Sequence, residues 1–90
     1  MTYINHHALA LQGLNQSKRQ INILFKTNSP PQEILKMLIK FEANISFAFY
    51  SQLISQKEFE DFDDQINMLH QKLQEDLNRR LMFKLLDNKS

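Results

Sequence analysis

Apolar residues recur along this chain at spacings of three and four, the period of a helix rather than of a strand. The pattern is densest from 34 to 54, ILKMLIKFEANISFAFYSQLI, where fourteen of twenty-one residues are apolar or aromatic. On a helical wheel they cover most of the circumference, leaving a narrow polar strip of Glu33, Lys36, Lys40, Asn44 and Ser51. A helix that is apolar nearly all round needs neighbours on more than one side. The stretch is therefore predicted to form the central helix of a bundle, over about residues 30–53.

The segment before it supplies one neighbour. Ala10, Leu14, Ser17, Ile21 and Leu24 alternate spacings of four and three, one seam of a helix predicted over about residues 5–26, with Leu11 and Phe25 widening the stripe. Thr2 or Asn5 is a candidate cap for its start. Gly13 costs about 1 kcal/mol relative to alanine inside a helix, so a bend or a fresh start near Asn15 is expected. Asn28 tolerates the left-handed conformation common just past a helix end. In Ser29-Pro30-Pro31-Gln32, Ser29 reads as the next cap, Pro30 as the first helical residue and Gln32 as the partner in a capping box.

The third segment opens on Ser55-Gln56-Lys57-Glu58, a capping box flanked by Ile54 and Phe59 as a hydrophobic staple. Phe59, Phe62, Ile66, Leu69 and Leu73 then form a seam. Leu77, Leu81 and Leu85 continue it at a steady four, which drifts around the helix. This helix is predicted over about residues 56–86, with a frayed tail after it. Short connections make sequential helices antiparallel neighbours. The expected fold is all-α: a three-helix antiparallel bundle in a single domain of 90 residues, completed by self-association or by a larger partner.

Composition agrees with that reading. One glycine and two prolines leave little room for hairpins. Without cysteine, disulfides and thiolate metal sites are excluded. The N-terminal residues lack the basic flank and long apolar core of a secretory signal, and no apolar run approaches a membrane span. A soluble cytoplasmic protein is expected. The net charge of +1 conceals an uneven distribution. Residues 1–40 carry +4, residues 41–78 carry −6, and residues 79–90 return to +3.

Candidate chemistry is sparse. His6, His7 and His70 are the only histidines; adjacent histidines on a helix point about 100° apart and make a poor metal pair. Glu58, Glu60, Asp61, Asp63 and Asp64 lack the glycine and terminal glutamate of a calcium loop, and acids near a helix start complement its dipole. A small helical enzyme of the chorismate mutase kind needs several convergent cations, and only the pair Lys18-Arg19 offers a beginning. The aromatics Phe41, Phe47, Phe49, Tyr50, Phe59 and Phe62 read as core rather than as a ligand pocket, with the Tyr50 hydroxyl pointing outward. No catalytic residue, cofactor or metal ligand is assigned.

Two surfaces remain. Lys18, Arg19, Lys26, Lys36 and Lys40 are expected to share one basic face of the first two helices, with Arg79, Arg80 and Lys84 as a rim nearby. Such a face would take a nucleic-acid backbone in a salt-sensitive, sequence-tolerant way. The third helix is also longer than the second. Antiparallel pairing from a turn near residue 54 sets Pro30 opposite roughly Asn78 and Lys36 opposite roughly Lys72. Everything from Arg79 onward then projects, carrying Leu81, Met82, Phe83, Leu85 and Leu86 into water. Contiguous exposed apolar patches mark contact surfaces. The functional expectation is a non-enzymatic helical accessory or regulatory subunit that binds a protein partner or a second copy of itself through this overhang. The alternatives are a subunit contacting a nucleic-acid backbone, then a small helical enzyme.

Overall fold

The computed structural model describes residues 5–87. It consists of α1 (His6–Lys26), α2 (Pro31–Tyr50) and α3 (Gln56–Asp87), with no strand among the described residues. The helices form an antiparallel bundle. The start of α1 meets the start of α3, where His7 reaches Glu58, and the turn after α1 meets α3 at Arg80.

The backbone of α2 packs closely against both of the others, and α1 and α3 meet mainly through side chains. The core follows from that arrangement. Ile34, Leu38, Phe41, Ile45 and Ala48 of α2 are buried between Leu14 and Ile21 of α1 and Phe62, Ile66, Leu69 and Leu73 of α3. Phe41 sets its ring edge against Phe62, with centroids 6.2 Å apart and planes at 88°, a favoured aromatic geometry. No buried polar or charged residue interrupts this core. Each fully buried Ile, Leu or Phe contributes about 1.5–3 kcal/mol from lost apolar hydration. Where α1 and α3 approach, Lys72 places its ammonium 4.7 Å from the centroid of the Phe25 ring.

Four local devices set the helix ends. The Asn5 side chain accepts from the Ala8 amide and caps α1; Thr2 lies outside the described residues. After α1, Asn28 takes φ 53°, and the amides of Asn28 and Ser29 donate back to the carbonyls of Phe25 and Leu24. The end of α2 repeats this motif with Gln52 at φ 60°, the Gln52 amide bonding Phe49 and the Leu53 amide bonding Ala48. Both are Schellman closures, satisfying carbonyls that a helix end leaves open. At the start of α3 the Glu58 amide donates to Ser55 Oγ at 3.1 Å and the Ser55 amide donates to Glu58 Oε1 at 2.8 Å. That is the reciprocal capping box, with Ile54 buried and Phe59 against the core.

Three boundaries differ from the sequence reading. The cap of α2 is Pro30, not Ser29, and no side chain caps that end. A residue preceding proline is kept out of the helical region; Pro30 accordingly sits at ψ 140°, so the helix begins at Pro31. The Ser29 hydroxyl bonds Thr27 Oγ1 instead. At its other end α2 stops at Tyr50 rather than near Leu53, because the left-handed Gln52 closes it early. Glutamine gives little sequence warning of that conformation. Finally, α1 runs without a break through Gly13.

Two stability changes follow. A Cβ at Gly13 would meet nothing within 4 Å, so Gly13→Ala should stabilise the fold by about 0.8–1 kcal/mol through helix propensity, measured as a rise in the chemical denaturation midpoint. Ser55→Ala should cost about 0.5–2 kcal/mol; an unchanged midpoint would mean that the capping box contributes nothing to holding the start of α3.

Candidate partner-binding surface

The far end of α3 leaves the bundle because its inward positions turn polar. Phe62, Ile66, Leu69 and Leu73 form the buried face. At 3.6 residues per turn the same face continues through Asp76, Arg80 and Lys84. The leucines at 77, 81 and 85, each four residues on, rotate away from it by about 40° per step. Arg80 makes the boundary. Its Nη2 donates to the Ser29 carbonyl at 3.2 Å, and its Nε lies 3.0 Å from Asp76 Oδ2. The turn between α1 and α2 thus abuts α3 within a turn of Asn78, the expected register.

Beyond that tether nothing among the described residues covers the helix. Leu81, Met82, Phe83, Leu85 and Leu86 are all between 52% and 64% exposed. Leu77 is 39% exposed and joins them to a shallow groove in which Pro31, Leu77, Leu81 and Lys84 meet. The apolar overhang expected from helix lengths is therefore present as solvent-facing surface.

The opposite end of α3 is acidic and aromatic. Glu60, Asp61, Asp63 and Asp64 are exposed. Phe49 stacks on Phe59 with centroids 4.4 Å apart, and Tyr50 lies edge-on to Phe49 at 5.5 Å. Tyr50 points outward, 81% exposed, whereas Phe47, expected in the core, is 68% exposed on the α1–α2 side. Phe41 and Phe62 are core, as the helical spacing implied.

Lys18, Lys26 and Lys36 line three different grooves. Lys18 lines a groove between α1 and α3 with Gln65, Met68 and Lys72. Lys36 lines the wide groove between α1 and α2, about 540 Å³, with Ile23, Leu24 and Met37. Lys26 and Arg79 share a third, mixed with Glu75 and Asp76. Lys84 and Arg80 border the groove at Pro31. Arg19 and Lys40 are exposed. Sequence spacing placed Lys18 and Lys36 together; the packing of α1 on α2 sets them on different sides of α1.

His7 and His70 are engaged in surface contacts. His7 Nε2 lies 2.9 Å from both Glu58 carboxylate oxygens, a link across 51 residues that no local pattern could reveal. His70 Nε2 lies 3.8 Å from Glu42. No group of three or more metal-ligating side chains converges among the described residues, and no helix among them is long and apolar enough to cross a membrane.

No family model, curated protein or solved structure matches the chain.

Glu58 offers a pH readout of the acidic end. The Ser55 amide, the His7 ring and the Ser55 hydroxyl hold its carboxyl below the ordinary value. A carboxyl depressed in the folded state stabilises the fold above its unfolded pKa and loses that contribution as pH falls through the folded one. The stability difference between wild type and Glu58→Gln should therefore be largest near neutral pH and close below about pH 4. A difference independent of pH between 3 and 7, by denaturation at each pH, would remove the ionised carboxylate from the account.

Proposed function

We propose that the protein is a non-enzymatic helical accessory or regulatory subunit that works through protein–protein contacts, with the α3 overhang as its docking surface. One observation carries this reading: five large apolar side chains, Leu81, Met82, Phe83, Leu85 and Leu86, stand more than half exposed on a continuous helix beyond the bundle. Scattered exposed leucines are ordinary, but a contiguous cluster in water favours association. A regular amphipathic helix end suits helix-in-groove or helix-on-helix recognition, where anchors at i, i+3 and i+4 carry the contact. Arg79 and Lys84 frame the cluster and would steer an acidic partner surface toward it.

The nucleic-acid alternative draws on Lys18, Arg19, Lys26, Lys36 and Lys40; Lys18, Lys26 and Lys36 line three separate grooves, a weaker footprint than a single basic face. For an enzyme, a polar pocket with convergent ionisable groups would be the supporting feature; the groove between α1 and α2 is lined instead by Ile23, Leu24 and Met37 with Gln20, Glu33 and Lys36.

Phe83→Asp combined with Leu86→Asp tests the reading. Both residues lie beyond the core, so helicity and denaturation midpoint should stay near wild type. Association, followed by light scattering and by recovery of partners on immobilised protein, should fall sharply. Equal association and equal recovery for wild type and variant would rule the overhang out as the interface.

A further inference from the structure

The charge pattern of α3 narrows what the overhang could bind. We propose that the overhang docks on the acidic start of α3 in a second copy of this chain, through an antiparallel pairing of the two α3 helices about a twofold axis near residue 73. This rests on the overhang being a docking surface and adds the identity of what covers it.

Along the face of α3 turned away from the core run Asp61, Asp64, Met68, Gln71, Glu75, Arg79, Met82 and Leu86, all exposed. Their spacings are three or four throughout, the stripe by which one helix lies along another. Its two ends are opposite in sign. Residues 57–64 carry Glu58, Glu60, Asp61, Asp63 and Asp64 against Lys57, a net −4. Residues 79–87 carry Arg79, Arg80 and Lys84 against Asp87, a net +2.

Antiparallel pairing over the full length sets Asp64 within a turn of the second copy's Arg79. The contact occurs twice by symmetry, as an isologous interface requires. Met82 and Leu86 come down beside the start of the other α3, and Met68, itself 69% exposed, lies on the same stripe more than a turn from the pairing's centre. Other registers are disfavoured on the same charges. Parallel pairing opposes acids to acids. Pairing the overhangs alone, tail to tail, brings together two ends that each carry net positive charge. Like charges across an interface suppress a geometry as effectively as opposite charges favour another.

The test uses two charge-swapped chains. One carries Arg79→Glu and Lys84→Glu. The other carries Glu60→Lys, Asp61→Lys and Asp64→Lys, positions beyond the first helical turn, where the helix dipole has little hold. The wild type should dimerise at low salt and dissociate as salt rises. Each variant alone should dimerise at least about tenfold more weakly. An equimolar mixture should recover dimer, because every overhang then faces a start of opposite charge; native mass spectrometry would show a heterodimer in excess of both homodimers. A wild type that stays monomeric at about 0.5 mM in low salt overturns the proposal. So does a dimer that both variants retain, or a mixture that recovers nothing while each variant keeps wild-type helicity. In the monomeric case, loss of a different partner by Phe83→Asp with Leu86→Asp would leave the docking role of the overhang standing.

Discussion

The column Ile34, Leu38, Phe41, Ile45 and Ala48 is where both other helices lose their water. A single central helix supplies apolar contact to two neighbours at once, and that is why α2 has few polar positions to spare. The ring of Phe41 ties the layers together through Phe62 on one side, while Ile21 closes the other. Because every buried residue among those described is apolar, no hydrogen bond between buried side chains fixes the register of the core. Register comes from shape in the core and from a few polar contacts at its ends.

Those end contacts have a common logic. At one end His7, Glu58 and Ser55 link α1 to the cap of α3. At the other, Arg80 grips the carbonyl of Ser29 and pairs with Asp76. Hydrogen bonds to charged groups contribute more than neutral ones, and a carbonyl in a helix-terminal turn is a natural acceptor. Arg80 thus belongs to the frame of the bundle, and the freely presented basic rim of the overhang is Arg79 and Lys84. Where the α3 core seam passes from Leu73 to Asp76, the bundle ends, and the remaining turns of α3 become available for something else.

The two ends of α3 differ: one is apolar with a net positive charge, and the other carries a net negative charge. In the proposed docking role, the apolar and charged components of this surface would act over different ranges. Charge steers and selects geometry, while buried side chains set how long a contact lasts.

The three helices, the centrality of α2 and the projection of α3 are legible in the amino-acid pattern, because they depend on periodicity and on length. So are the Ser55–Glu58 box, the left-handed Asn28 and the Asn5 cap, which rest on local backbone chemistry. Only the tertiary structure decided where α2 begins and ends: two adjacent prolines moved the start by one residue, and Gln52 adopted a conformation its side chain does not advertise. Only packing decided that Lys18 and Lys36 fall on different sides of α1, that Phe47 faces water, and that Arg80 is bound down. Each of these depends on how one helix is rotated against another. A single helix's pattern gives the direction of its apolar face, but not which neighbour stands beside each edge of that face, and the grouping of surface charges follows from the neighbours.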